Sequence, residues 1–170
     1  YPPEQLAILK KHNVQATIFL TGNWIENFPT LAKKIAADGY EIGNHSYSHP
    51  YMTKLSDSKI KQEILKTENL IIGLGAKKPN LFRPPYGARN THLDDLAGSL
   101  GYSSIMWSID TIDWKNPGPQ TIIAKIKNNV RNGSIILLHL DARDTIKALP
   151  EIITWLRSQG YRLVKVSEIL

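Results

Sequence analysis

Short apolar runs alternate with amphipathic stretches along the whole chain. Pro2 and Pro3 open a helical pattern carried by Leu6, Ile8 and Leu9 that ends near His12 and Asn13, because proline suits a first helical turn. Residues 14–20 (VQATIFL) read as a buried strand, since β-branched and aromatic side chains pack well on a pleated surface. A helix follows over 30–38, with Leu31, Ile35 and Ala36 on one face and Gly39 as its stop. Residues 40–43 predict a short strand. Residues 56–72 predict the longest helix, with Ile60, Ile64, Leu65 and Ile71 at helical spacing and Gly73 and Gly75 closing it. Then come a strand at 80–82, a helix over 91–100 and a strand over 102–108 (YSSIMWS). Pro119 starts a helix to about Val130 with Ile122, Ile123 and Ile126 inward, and residues 134–138 (SIILL) form an apolar strand. The last helix covers 145–159 and a last strand covers 162–166. Pro150 predicts a kink or two shorter pieces in that helix, because it lacks an N–H and crowds the preceding turn.

Strands separated by helices imply parallel pairing with right-handed crossovers, hence an α/β sheet or barrel. No linker, composition shift or low-complexity segment breaks the chain, so residues 1–170 read as one domain. The chain opens on a helix in an architecture whose unit is strand then helix, which predicts a further strand before Tyr1. The opening Tyr1-Pro2-Pro3-Glu4 has no Met and shows no signal peptide. It is expected to be part of a longer polypeptide.

Composition narrows the function classes. A chain of 170 residues suits one domain, burying roughly 70% of the surface of its unfolded form. Hydrophobic residues at 42% and charged residues at 21% exclude disorder and collagen-like repetition. No stretch without Asp, Glu, Lys or Arg exceeds 14 residues, too short to cross a bilayer. The balance of 21 Lys and Arg against 15 Asp and Glu gives +6, but the lysines stand singly or in pairs. That spread describes a solvated cationic surface, and nucleic acid is not expected as a partner. The lack of cysteine excludes disulfides, thiolate catalysis and Cys-based zinc sites.

Chemistry-bearing residues collect at the carboxyl ends of expected strands, where parallel α/β folds place their active sites. His45 and His49 follow the strand ending at Gly43; Arg83 and Tyr86 follow the one ending at Phe82. Asp110, Asp113 and Trp114 follow Ser108, and His139 follows Leu138. On one helical turn the H-x3-H spacing would put two imidazoles on one face, within reach of one divalent ion. Zinc in a catalytic site usually takes three protein ligands, so a third is expected elsewhere. Taken alone, the pair reads more readily as a structural or surface feature than as a metal site. In Arg83-Pro84-Pro85-Tyr86-Gly87 the prolines supply no N–H, which leaves that of Tyr86 as a donor for an oxyanion. The plainer reading is a rigid loop with Arg83 in a structural ion pair. The two aspartates serve either as turn caps or, in one case, to orient His139. His12 and His92 carry no partner motif.

In order and spacing these segments resemble the polysaccharide deacetylase family with the NodB homology domain (carbohydrate esterase family 4). His45-Ser46-Tyr47-Ser48-His49 is similar to its metal-binding motif and Arg83-Pro84-Pro85-Tyr86 to its R-x-P-Y motif. Asp110 to Trp114 is similar to D-x-x-D-W, and Leu137-Leu138-His139 to L-x-H. The likeness extends from near Tyr1 to Leu170 and implies a distorted (β/α)7-type barrel, here without its first strand. The family's T-F-D-D motif is absent from the chain. In the family one of those aspartates is the general base and the other the third metal ligand, so this chain alone is expected to be impaired.

The resemblance implies a metal-dependent hydrolase removing N-acetyl groups from a polysaccharide such as peptidoglycan or chitin. It implies a divalent ion on His45 and His49, zinc first, with cobalt, nickel or manganese as alternatives. Arg83 would fix the base carboxylate, the Tyr86 N–H would help hold the oxyanion, and His139, oriented by Asp113, would be the general acid. Trp114 and Leu137 would wall an acetyl pocket, with Asp110 structural. The parent protein would be extracellular or associated with cell wall or membrane, and a monomer. The alternative is a non-catalytic carbohydrate-binding relative or an inactive fragment of the same fold. A glycosidase would need two opposed carboxylates, whereas Asp110 and Asp113 come from one loop.

Overall fold

The structure is a computed structural model and describes residues 2–170. It divides into two units, Thr17–Met106 and residues 2–16 with Trp107–Leu170.

The first of these units holds a four-stranded parallel sheet in the order β1 (Thr17–Leu20), β2 (Glu41–Asn44), β3 (Leu81–Phe82), β4 (Ser103–Ser104). Between β1 and β2 lie α2 (Gly22–Asn27) and α3 (Pro29–Ala37). Thr21 caps α2 by accepting the Trp24 N–H, and Pro29 starts α3, as the orphan donors of a first turn require. Between β2 and β3 runs α4 (Asp57–Gly73), and between β3 and β4 runs α5 (Thr91–Ser99), capped by Asn90. Ile60 and Ile64 of α4, Leu93 and Ala97 of α5, Met52, Phe82 and Tyr102 make one buried cluster.

The second unit opens with α1 (Pro2–Lys11) and contains a two-stranded parallel sheet of β5 (Ile109–Asp110) and β6 (Ile136–Leu137). These strands are linked by α6 (Pro119–Asn129), and α7 (Arg143–Ser158) follows. Ile122, Ile123 and Ile126 of α6 bury against Ala148, Ile152 and Leu156 of α7, together with Ile109. Ile8 and Leu9 of α1 pack on Leu149 and Ile153 of α7 and on Val14.

The α/β class is as the sequence predicts, with several corrections. Residues 102–108 do not form one strand. Ser103–Ser104 pairs with β3, residues 105–108 carry no ladder, and Ile109–Asp110 pairs with β6. The expected last strand at 162–166 is absent among the described residues, where a 3-10 turn (Val166–Glu168) closes the chain instead. The sequence pattern does not predict helix α2 (Gly22–Asn27). Pro150 lies inside one continuous helix, not between two pieces.

Candidate active site

In the Thr17–Met106 unit, Asn44 of β2 stands opposite Phe82 of β3 at the carboxyl edge. His45 and Arg83 therefore leave adjacent parallel strands side by side. The Arg83 N–H donates to the Asn44 carbonyl (2.9 Å) and the His45 N–H to the Leu20 carbonyl (3.0 Å). The His45 ring turns toward Arg83, and its Nδ1–H donates to the Arg83 carbonyl at 2.7 Å. That bond fixes the tautomer and puts the ring's lone pair on Nε2, the arrangement found around metal-ligating histidines.

His49 reaches the same place by a bend and not by the helical turn expected from H-x3-H. Ser46 (φ 65°) and His49 (φ 59°) are left-handed, and the segment has no helix. The two Nε2 atoms stand 3.2 Å apart. Two zinc–nitrogen bonds of ~2.0–2.1 Å at a tetrahedral angle separate their nitrogens by about 3.3–3.4 Å, so the pair fits two ligands of one ion. Among the described residues no group of three or more His, Cys, Asp or Glu side chains is close enough to hold a metal.

Arg83 is buried (8% exposed). Its Nε donates to the Ile105 carbonyl (3.3 Å), Nη2 donates to the Met106 carbonyl (3.4 Å), and the guanidinium lies 4.1 Å over the Phe19 ring. Gly43 pairs with Phe19 across β1 and β2, and a Cβ on Gly43 would come within 2.4 Å of that ring. Glycine thus makes room for the surface on which Arg83 rests. Burial pushes the guanidinium down to about 10, so it stays protonated at neutral pH. Tyr86 is left-handed (φ 60°) after two prolines, and among the described residues its N–H meets no acceptor. Its ring, 58% exposed, meets His49 edge-on at 4.6 Å and stacks on Tyr51 at 4.2 Å.

In the unit containing Trp107–Leu170 the same logic repeats. Asp110 stands opposite Leu137 at the carboxyl edge of β5 and β6, and the Thr111 hydroxyl donates to the Leu137 carbonyl (2.8 Å). Asp113 and His139 leave this edge together. Asp113 is fully buried (0% exposed); Oδ1 accepts the His139 ring Nδ1–H at 2.7 Å, and Oδ2 accepts the His139 backbone N–H (2.8 Å) and the Thr145 hydroxyl (2.6 Å). Burial alone would raise the Asp113 pKa, but these bonds outweigh it and hold the carboxyl below its ordinary value. The bond from Asp113 raises the His139 pKa, against a lowering by burial, with Asp141 and Asp110 adding to the rise. The pair is an imidazole held in one orientation with its Nε2 directed away from the carboxylate, ready for proton transfer.

The other expected residues are placed as follows. Asp110 Oδ1 accepts the Ile112 N–H (2.9 Å) and makes a turn cap, supporting the left-handed Ile112 (φ 56°). Trp114 is exposed, with the Lys115 ammonium 4.9 Å over its ring, and Leu137 is half-buried in β6. His92 is in an exposed pair with Asp57 (2.7 Å). Residues outside the motifs support both histidine sites: Glu63 binds the 45–49 bend. Gln5 Nε2 donates to the carbonyls of His139 (3.0 Å) and Ala142 (2.9 Å). No motif marks them, because they lie on helices far away in sequence.

Residues 1–105 match the sequence profile described as polysaccharide deacetylase, and the chain belongs to that family. It is 41% identical over 170 residues to the uncharacterised protein YlxY of Bacillus subtilis, covering all of this chain and 53% of that protein. It is 38% identical over 175 residues to a peptidoglycan-N-acetylglucosamine deacetylase of Bacillus cereus, covering all of this chain and 82% of that protein. The crystal structure of a CE4 family pseudoenzyme of Bacillus anthracis matches 99% of this chain and 60% of that one, at 38% identity and TM-score 0.95. A mutant of that protein, at the same identity and TM-score, is described as having restored enzymatic activity. The chain thus spans about half to four-fifths of the length of these relatives. No helix of the described residues is long and apolar enough to cross a membrane.

Proposed function

We propose that this chain is the deacetylase domain, spanning residues 1–170, of a protein that hydrolyses N-acetyl groups on cell-wall peptidoglycan. The observation that carries the reading is the His139–Asp113 pair, a ring bond of 2.7 Å to a buried carboxylate. An amine is a poor leaving group unless protonated as it departs. In this reading His139 gives its Nε2 proton to the sugar nitrogen while Asp113 stabilises the imidazolium. The Tyr86 N–H donates to the oxygen that becomes negative as the acetyl carbon turns tetrahedral. His45 and His49 would hold a divalent ion, zinc first, which supplies Lewis-acid polarisation and lowers the pKa of bound water. Arg83 supplies a buried positive charge for a base carboxylate. Trp114 and Leu137 border the acetyl group, which an apolar wall suits.

The resemblance assigns the general base and a third metal ligand to the aspartates of a T-F-D-D motif, which this sequence does not contain. Peptidoglycan is favoured over chitin by the names of the relatives. Such a substrate implies a protein working outside the cell or at the wall. The experiment is acetate release by the full-length protein from N-acetylated peptidoglycan and from chitin oligomers, with and without a chelator. Release from peptidoglycan that the chelator abolishes supports the reading; no release in either condition rejects it.

The likeness to a pseudoenzyme favours a second reading, a non-catalytic relative that retains the fold and binds glycan. It predicts retention on peptidoglycan in a pull-down with no acetate released.

A further inference from the structure

Each of the five N–H groups of the bend carrying His45 and His49 has an acceptor, and four of these acceptors lie outside the bend. That of His45 goes to the Leu20 carbonyl (3.0 Å), that of Ser46 to Asn44 Oδ1 (3.0 Å) and that of His49 to Ser46 Oγ (3.1 Å). The other two converge on one oxygen. Glu63 Oε2, on α4, accepts the N–H of Tyr47 (2.8 Å) and of Ser48 (2.7 Å), and Oε1 accepts the Ser48 hydroxyl (2.8 Å). Consecutive N–H groups aimed at one point form an anion-binding nest, and hydrogen bonds to a carboxylate are stronger than neutral ones.

The bend needs such a hold. Ser46 and His49 are both left-handed at φ 65° and 59°, a conformation that residues other than glycine keep only where their surroundings impose it. The opposite edge of the bend is pinned too: the N–H groups of Gly22 and Asn23 donate to the carbonyls of Ser46 and Tyr47, each at 3.0 Å. A Cβ at Gly22 would lie 2.2 Å from the Tyr47 ring, so the approach depends on glycine.

We propose that Glu63 is the positioning residue of the histidine pair, fixing the bend so that the two Nε2 atoms stand at the separation one metal ion requires. The proposal rests on the reading of His45 and His49 as metal ligands. Glu63 acts only through the backbone between them. Its carboxylate therefore serves by accepting hydrogen bonds, and an amide oxygen in its place can accept the same two N–H groups while the Ser48 hydroxyl accepts from the amide nitrogen.

The test is zinc affinity of the full-length protein by competition with a chelating dye at one pH, with apo-protein melting temperature alongside. The proteins are the wild type, Glu63→Ala, Glu63→Gln, His49→Ala and the core variant Ile123→Val of the other unit. Glu63→Ala is expected to bind zinc about tenfold more weakly or worse, within the range for residues that orient ligands. Glu63→Gln stays within about threefold of wild type. Ile123→Val lowers the melting temperature and leaves affinity unchanged. Wild-type affinity in Glu63→Ala, with His49→Ala impaired, overturns the proposal and spares the metal reading. So does a loss in Ile123→Val matching that in Glu63→Ala, which would make the effect one of general stability. Unchanged affinity in His49→Ala removes the metal reading and the proposal together.

Discussion

Asp113 holds His139 at two points, its Oδ1 on the ring Nδ1–H at 2.7 Å and its Oδ2 on the backbone N–H at 2.8 Å. A ring and its own peptide gripped by one buried carboxylate cannot turn independently of each other. The geometry therefore fixes where Nε2 points as well as raising the ring's affinity for a proton.

The first prediction follows from that rise. With its pKa raised above the ordinary 6.5 by the bond to Asp113, His139 keeps its proton to higher pH than a free imidazole, and kcat should fall on the alkaline side as pH climbs through the raised value. Asp113→Asn removes the largest cause of the rise, so this alkaline limb should move to lower pH. A pH–kcat profile with an unmoved limb would contradict the role of Asp113.

Stability should follow the same pair. A raised His139 contributes fully below its ordinary 6.5, and that contribution is lost as pH rises through its folded value. A depressed Asp113 contributes above its ordinary 3.8, and that is lost as pH falls through its folded value. The melting-temperature difference between wild type and His139→Ala should be largest between about pH 4 and 6.5 and shrink toward pH 9. Melts across that range check it.

Loss of the acid should be costly. Positioned acid–base catalysis is typically worth ~10²–10⁴-fold, so His139→Ala should lower kcat by about that factor with metal content unchanged. Asp113→Asn should cost less, and the double variant little more than His139→Ala, because both serve one proton transfer. A substrate ester with a good leaving group should suffer much less than the amide. Equal losses on the two substrates would mean that His139 is structural.

The helices were legible because their ends are marked and their faces are uniform. Pro119 followed by Ile122, Ile123 and Ile126, or Ser56 followed by Ile60 and Ile64, leaves little alternative. The strands were harder to read. Residues 102–108 look like one strand, yet the Ile105 N–H bonds to the Phe82 carbonyl while those of Ser108 and Ile109 both bond to the carbonyl of Ile135. A change of pairing partner within an apolar run leaves no mark on its composition. Helix α2 hid behind Gly22 and Asn23, weak helix formers, although Thr21 caps it. The histidines, Arg83 and Asp113 were legible as polar residues at strand ends. Glu63, Gln5 and Thr145 were not, since only the fold brings them to the loops they hold.

Thr145 offers a direct check on the buried carboxylate. Its hydroxyl donates to Asp113 Oδ2 at 2.6 Å, and the side chain is 1% exposed. Thr145→Val keeps the shape and removes the donor, which should cost about 1–3 kcal/mol. Thr145→Ser should restore most of it. Urea denaturation of the three proteins decides.

Gly43→Ala should destabilise by about 1–3 kcal/mol through overpacking, because the new Cβ meets the Phe19 ring at 2.4 Å and that ring has the Arg83 guanidinium on it. Activity should fall with it as Arg83 is displaced. An alanine variant with unchanged urea midpoint and turnover would show that the Phe19 ring moves aside freely.

The proposed deacetylase activity requires both metal on the histidine pair at 45 and 49 and proton transfer by His139 with Asp113. Acetate release from N-acetylated peptidoglycan, measured on full-length wild type, His49→Ala and His139→Ala together with bound zinc, tests it most directly. Wild type is expected to release acetate and both variants to lose most of this activity. Zinc should be lost from His49→Ala alone. Undiminished acetate release by either variant, or none by a zinc-loaded wild type, would contradict it.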